Sequence, residues 1–231
     1  MMHLMHYPLC PHSRSIRLAI GELRLELELV EEKPWTWRPE FLAINPAGSL
    51  PVLAVDGTTP ICGAYAISEY LADIRADHGG GSHGTSLFPG DADERAEVRR
   101  LVDWFHIKCD REVTRELLNE KYYAQASGAQ RHTPNSENLR TLTVNLRYHM
   151  KYVGYLADHR RWLAGEEMSF ADLAAAAHMS SLDYLGLIAW DSYPAVHAWY
   201  VRLKSRPSFQ SLLEDRLPGK APPPYYADLD F

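Results

Sequence analysis

The sequence predicts an α/β unit followed by an all-α unit, and three features carry that reading. Strand and helix signals alternate over the first 78 residues. A glycine run flanked by His78 and His83 then breaks every pattern, and from Asp91 onward apolar residues recur at helical spacing. The expected organisation is a domain at 1–78, a linker at 79–90, a helical domain at 91–217 and an extended tail at 218–231.

Within the first unit, Leu4, Met5, His6 and Tyr7 read as a short buried strand stopped by Pro8. Pro11 stands where a helix begins, because its fixed φ and missing N–H cost nothing at the first helical position. Ile16, Ala19, Ile20 and Leu23 then repeat every 3.6 residues. The strict alternation of Leu25, Glu26, Leu27, Glu28 and Leu29 predicts a strand with one buried face. After a loop holding Trp35 and Trp37, residues 51–55 read as another strand. Asp56 and Gly57 accept the positive φ of a tight hairpin turn, and 60–62 would be the return strand. A helix over 64–76 closes the unit.

In the second unit, Val98, Leu101, Val102, Phe105, Cys109 and Val113 mark one face of a long helix. Leu139, Leu142, Leu146, Met150 and Val153 mark another, with Tyr148, Tyr152 and Tyr155 on a neighbouring stripe read as core or interface. The polar stretch 124–138 between them reads as a mobile tip. Ser169 to Asp172 has capping-box form, with Met168 and Leu173 spaced as its hydrophobic staple. The Ala-rich run that follows suits the buried centre of a bundle. Pro194 opens one more helix, which stops before Arg206-Pro207. Pro218, Pro222, Pro223 and Pro224 favour an extended tail.

Charge and composition narrow the function. A net charge of −6, with no basic tract interleaved with aromatics, excludes a duplex-DNA binder. No apolar run reaches the ~20 residues a membrane helix needs, and the start MMHLMHYPLC has neither signal-peptide nor transit-peptide form. Three cysteines, Cys10, Cys62 and Cys109, are too few and too irregular for a disulfide framework, so a soluble cytoplasmic protein is expected. No Cys/His group has metal-ligand spacing. His3 and His6 point to opposite faces of a strand, and His78 and His83 read as linker residues, so no metal site is expected. The glycine run lacks the Gly-Lys-Ser/Thr of a phosphate loop.

Cys10 is the clearest chemical feature. A cysteine just before a helix meets the positive end of the dipole and unpaired N–H groups, which favour thiolate. His12, when protonated, pushes the same way, and Ser13 can hydrogen-bond the sulfur but cannot resolve a mixed disulfide.

The order of these pieces resembles the glutathione-transferase superfamily nearly end to end. Cys10-Pro11-His12-Ser13 sits where that family places its catalytic Cys, Ser or Tyr. Asn45 to Pro51 resembles its loop into a cis-proline, here Pro51. Leu87-Phe88-Pro89, Trp162 to Gly165, Ser169 to Leu173 and Tyr193-Pro194 resemble successive marks of its helical domain. The resemblance implies a thioredoxin-like N-terminal domain, an all-helical C-terminal domain and a Cys10-dependent glutathione transferase or thiol transferase, with glutathione as the ligand. Yet the positions implied for the glutathione clamp are Ser49, Gly63 and Ala64, of which Gly63 and Ala64 have no side-chain donor or acceptor. Only the backbone of Leu50 carries over. Two charged hydrogen bonds lost at ~1.5–3 kcal/mol each would weaken binding by about two to four powers of ten.

The tail offers a second expectation. Tyr225, Tyr226, Asp228, Leu229, Asp230 and Phe231 combine aromatic anchors with negative charge, as an extended docking peptide would. The chain as a whole also resembles a non-catalytic branch of the superfamily that binds the bacterial division protein FtsZ. That likeness implies a cytoplasmic homodimer at the division septum, with FtsZ and a second copy as partners, its C-terminal end in the contact and no cofactor. Adaptor and Cys10-dependent enzyme are thus the two readings to separate.

Overall fold

A computed structural model describes residues 2–77, 86–128 and 134–229. Strand β1 (Met2–His6) runs into a turn at Tyr7 and Pro8, and helix α1 (Pro11–Leu23) starts on its proline with Cys10 as N-cap. Arg24 adopts a left-handed conformation (φ 53°), and the Leu25 N–H returns to the Ile20 carbonyl at 3.0 Å, which ends α1. Strand β2 (Glu28–Glu31) therefore begins three residues later than the alternation at 25–29 implies. Leu25 and Leu27 pack half-buried against the core from the connecting loop, while Leu29 lies 44% exposed on β2, an edge strand among the described residues. The helix stop takes precedence over the alternating pattern.

A short helix α2 (Pro39–Ile44) follows, then β3 (Val52–Val55), β4 (Ile61–Cys62) and α3 (Ala64–Asp77). The sheet order is β2-β1-β3-β4, with β1 parallel to β2 and antiparallel to β3. Gly57, at φ 77°, makes the hairpin turn, and the Leu50–Pro51 bond is cis, as the family loop implies. The predicted linker at 79–90 falls largely outside the described residues.

The second unit opens with α4 (Ala92–Asp103), capped by the Asp91 carboxylate on the N–H groups of Asp93 and Glu94. Without a break the chain continues through wide π turns at Trp104–Thr114, a turn of α5 (Arg115–Leu118), further π turns at Asn119–Tyr123 and α6 (Ala124–Ala126). Such widened turns re-aim side chains and recur at functional sites; here they carry His106 and Thr114. Helices α7 (Ser136–His159), α8 (Phe170–Tyr184), α9 (Pro194–Lys204) and α10 (Gln210–Leu213) complete the bundle.

Every residue of α8 is buried, and α1 packs more extensively on α8 than on any other element. Ala171 and the run Ala174–Ala177 allow that close approach. At its start, the Asp172 carboxylate accepts from the Leu163 N–H (2.9 Å), the Ser169 N–H (3.0 Å) and the Trp199 indole (3.0 Å). One residue thus ties the helix start, the loop before it and α9 together.

Two expectations change. Tyr148 and Tyr155 are 55% and 58% exposed, so the tyrosine stripe on α7 is an outer face rather than core. The tail turns back on the body through a 3₁₀ turn at Pro224–Ala227 and buries Tyr226 completely. Its hydroxyl accepts from Arg14 Nη1 (3.0 Å) and donates to the Leu212 carbonyl (3.1 Å). The physical reason is Arg14, itself fully buried, which also bonds the Pro8 carbonyl, Ser180 and Asp215. A buried guanidinium needs acceptors around it, and Tyr226 is one of the four that surround Arg14.

Candidate functional site

Cys10 lies at the meeting point of the two units, partly exposed, its N–H bonded to the Tyr7 carbonyl at 3.0 Å. Burial pushes its thiol up, but hydrogen bonds and charge from His12, with the Ser13 hydroxyl and N–H, outweigh that and hold the thiol below its ordinary value. His12 shows the reciprocal change. Burial lowers it, yet the bond to Cys10, the charge of Cys10 and Asp110, and the His106 carbonyl raise it to about 9. Each group thus favours the charged form of the other.

The orientation of His12 follows from its contact. Its Nε2 lies 3.0 Å from the His106 main-chain carbonyl, which can only accept, so Nε2 carries hydrogen and Nδ1 is left for the sulfur. A nucleophile, a base and a group that orients the base constitute the general arrangement for activating a thiol.

Behind His12 runs a chain of buried polar groups. Ser15 Oγ donates to the His12 carbonyl (2.8 Å), so it must accept from His106 Nε2 (3.1 Å). His106 Nδ1 then faces His178 Nε2 at 3.1 Å, and His178 Nδ1 faces Thr114 Oγ1 at 3.0 Å. Burial, together with the positive His12, holds both histidines well below 6.5 and therefore neutral. The His12 ring stacks on His106 with centroids 4.5 Å apart. One ring nitrogen from each of His12, His106 and His178 lies within 4.8 Å of the others. No spacing pattern marks this cluster, since its members come from α1, the π turns after α4 and the centre of α8.

An aromatic wall closes the other side. The Tyr7 and Tyr122 hydroxyls are 2.7 Å apart, Trp35 meets Tyr7 edge-on at 4.8 Å, and Tyr123 packs against both Trp35 and Tyr7. Trp35 is thus a packing residue. Trp37 is 61% exposed, with its ring over Gly48, where a Cβ would come within 2.9 Å of it.

The positions implied for a glutathione clamp present little. Ser49 is exposed, its carbonyl taken by Asn45 Nδ2 (2.8 Å). Leu50 and Pro51 are buried. Gly63 (φ +91°) bonds the Pro51 carbonyl through its N–H and precedes Ala64 at the start of α3. Beyond Gly63 there is open space, yet its positive φ would strain any side chain placed there.

At the far end, the tail residues separate into three groups. Tyr226 is buried and leaves the partner-facing set. Tyr225 and Asp228 line a groove with Ile188, Trp190, Asp191 and His197, and Leu229, the next residue along the chain, is 40% exposed. Asp230 and Phe231 lie outside the described residues. His106, His178, Thr114 and Ser15 escaped sequence reasoning. The available hint was a polar ring within apolar runs, at Phe105-His106 and in the Ala-rich stretch before His178.

Two family profiles match the chain: the glutathione S-transferase N-terminal domain over residues 4–79 and the glutathione S-transferase C-terminal domain over residues 121–207. FtsZ-localized protein A of Caulobacter vibrioides is 42% identical over 99% of this chain and 97% of its own. The solved structure of FzlA from C. crescentus superposes with a TM-score of 0.92 at 41% identity, covering 100% of this chain and 99% of that one. A glutathione S-transferase structure from Rhodospirillum rubrum F11 matches at 0.91 and 41% identity over the full length of both.

Proposed function

From the premise that this chain belongs to the glutathione S-transferase family, we propose that it works as an FtsZ-associated division protein rather than a glutathione-turnover enzyme. The observation that carries the reading is the similarity to FtsZ-localized protein A along almost the whole of both chains. Gly63, Ala64 and Ser49 support it from the site, since the first two have no side-chain donor or acceptor and the third has only a hydroxyl for an anionic ligand. The groove lined by Tyr225 and Asp228, together with the exposed Leu229 that follows in the chain, is the surface we assign to the partner. The protein acts in the cytoplasm at the division septum, with no cofactor.

A homodimer fits the same role, because two identical sites can bridge filaments. Val144, Tyr148 and Tyr155 on α7, beside Trp104, supply an exposed apolar face suited to a second copy. Binding of purified FtsZ to the immobilised full chain tests the association. Saturable binding that weakens on Asp228→Ala supports it, and no binding with either GTP or GDP overturns it.

The Cys10–His12 pair favours one other reading, a thiol transferase. There the thiolate would attack a glutathionylated disulfide, release the partner thiol and form a Cys10–glutathione disulfide. Ser13 cannot resolve that bond, so a second glutathione thiolate would have to. Turnover abolished by Cys10→Ser would establish it; no turnover in the wild type would remove it.

A further inference from the structure

We propose that Ser15, His106, His178 and Thr114 form a positioning spine that aims His12 at Cys10. The hydrogen bonds of this chain run in one direction. The His12 carbonyl can only accept, so the Ser15 hydroxyl gives its proton there (2.8 Å) and takes the His106 Nε2–H (3.1 Å). The His106 and His178 rings are buried and neither bonds a carboxylate among the described residues, so each is neutral and carries one N–H. His106 Nδ1 therefore accepts from His178 Nε2 (3.1 Å), and His178 Nδ1 accepts from the Thr114 hydroxyl (3.0 Å). With its own proton committed, Thr114 Oγ1 is left to accept from Cys109 Sγ at 3.8 Å.

The spine does not relay protons to the thiol, because it ends on an amide oxygen rather than on the His12 ring. What it transmits is position. His106 meets His12 in three ways: its carbonyl takes the Nε2–H at 3.0 Å, its ring stacks with centroids 4.5 Å apart and planes 25° from parallel, and its Nε2 reaches the His12 main chain through Ser15. His12 is the second residue of α1 and partly exposed, where an unheld imidazole would turn into solvent. Held by Nε2, it presents Nδ1 to the sulfur two residues before it. His178, from the centre of α8, and Thr114, from the end of the wide turns, fix His106 in turn. All four act on the thiol through His12, a role independent of FtsZ.

The test is the pH profile of Cys10 alkylation by iodoacetamide in the full chain, read on the Cys10 peptide by mass spectrometry so that the exposed Cys62 does not contribute. Ser15→Ala and Thr114→Val should each move the profile upward and slow the reaction at pH 7 by about threefold or more, since a small misplacement of an activating group is costly. Thr114→Ser keeps the hydroxyl and should restore the wild-type profile. Beside His12→Ala, Ser15→Ala should have no further effect, whereas general loosening of the fold would change Cys10 whether or not His12 is present. A wild-type profile in Ser15→Ala or Thr114→Val, a Thr114→Ser chain that behaves as Thr114→Val does, or an effect of Ser15→Ala that persists beside His12→Ala would overturn the proposal. Thr114→Val, alone and beside His12→Ala, gives the same reading if Ser15→Ala does not fold.

Discussion

Replacing Tyr226 by Phe removes one oxygen atom and isolates what holds the tail to the body. The ring remains, still edge-on to Tyr184 at 5.1 Å, so no cavity forms. Two hydrogen bonds vanish: that from Arg14 at 3.0 Å and that to the Leu212 carbonyl at 3.1 Å. A bond from a charged donor contributes ~1.5–3 kcal/mol and a neutral one ~0.5–1.5. Arg14 Nη1 keeps Ser180, which limits the loss. The sum is about 2–4 kcal/mol, or roughly 5–15 °C in Tm for a chain of this size. Urea and thermal unfolding followed by tryptophan fluorescence measure it, with Leu229→Ala as an exposed comparator expected within about 0.5 kcal/mol. If Tyr226→Phe matched that comparator, the tail would not be anchored through Arg14. Below the transition, affinity for FtsZ should be unaffected, because the hydroxyl points inward.

Three other outcomes follow from the buried groups. Alkylation of Cys10 should proceed well below the pH at which an ordinary thiol reacts; His12→Ala should move the profile upward and slow the reaction at pH 7 by about tenfold or more. An unmoved profile would show that His12 does not activate the sulfur. Asp172→Ala leaves the Leu163, Ser169 and Trp199 donors without their acceptor and should cost at least about 3 kcal/mol by chemical denaturation. His6 is lowered to about 4 by burial and then by Arg17, so between pH 6.5 and 4 the unfolded chain binds the extra proton. Stability from this group is complete above pH 6.5 and falls with pH, by up to about 3 kcal/mol near pH 4. His6→Gln should flatten that part of the acid-unfolding curve, and a curve of unchanged slope would contradict the assignment.

Much of the fold was legible because local signals agreed with the final packing. Pro11 and Pro194 mark real helix starts, Asp56-Gly57 a real hairpin, and Ser169 to Asp172 a real cap. The strand at 25–29 starts late because the left-handed stop at Arg24 ties the Leu25 N–H back to α1 and leaves residues 25–27 in the connecting loop. Alternation alone does not reveal that event. Cys10 was visible because its place before a proline-led helix is a local feature. The histidines behind it were not, since 94 and 72 residues separate the contacting pairs and each sits in an otherwise apolar face. Tyr226 illustrates the same limit. An aromatic near a chain end looks like a surface anchor until Arg14, 212 residues away, is found buried beneath it.

Whether the family's fold here serves FtsZ is decided by co-sedimentation with GTP-assembled FtsZ in the presence of millimolar glutathione. Asp228→Ala/Leu229→Ala is a better comparator than deletion of residues 225–231, because deletion would also strip Tyr226 from Arg14. The wild-type chain should pellet with filaments whether or not glutathione is present, and the double variant should pellet less. A wild-type chain that stays in the supernatant while glutathione binds tightly at Cys10 would overturn the FtsZ reading.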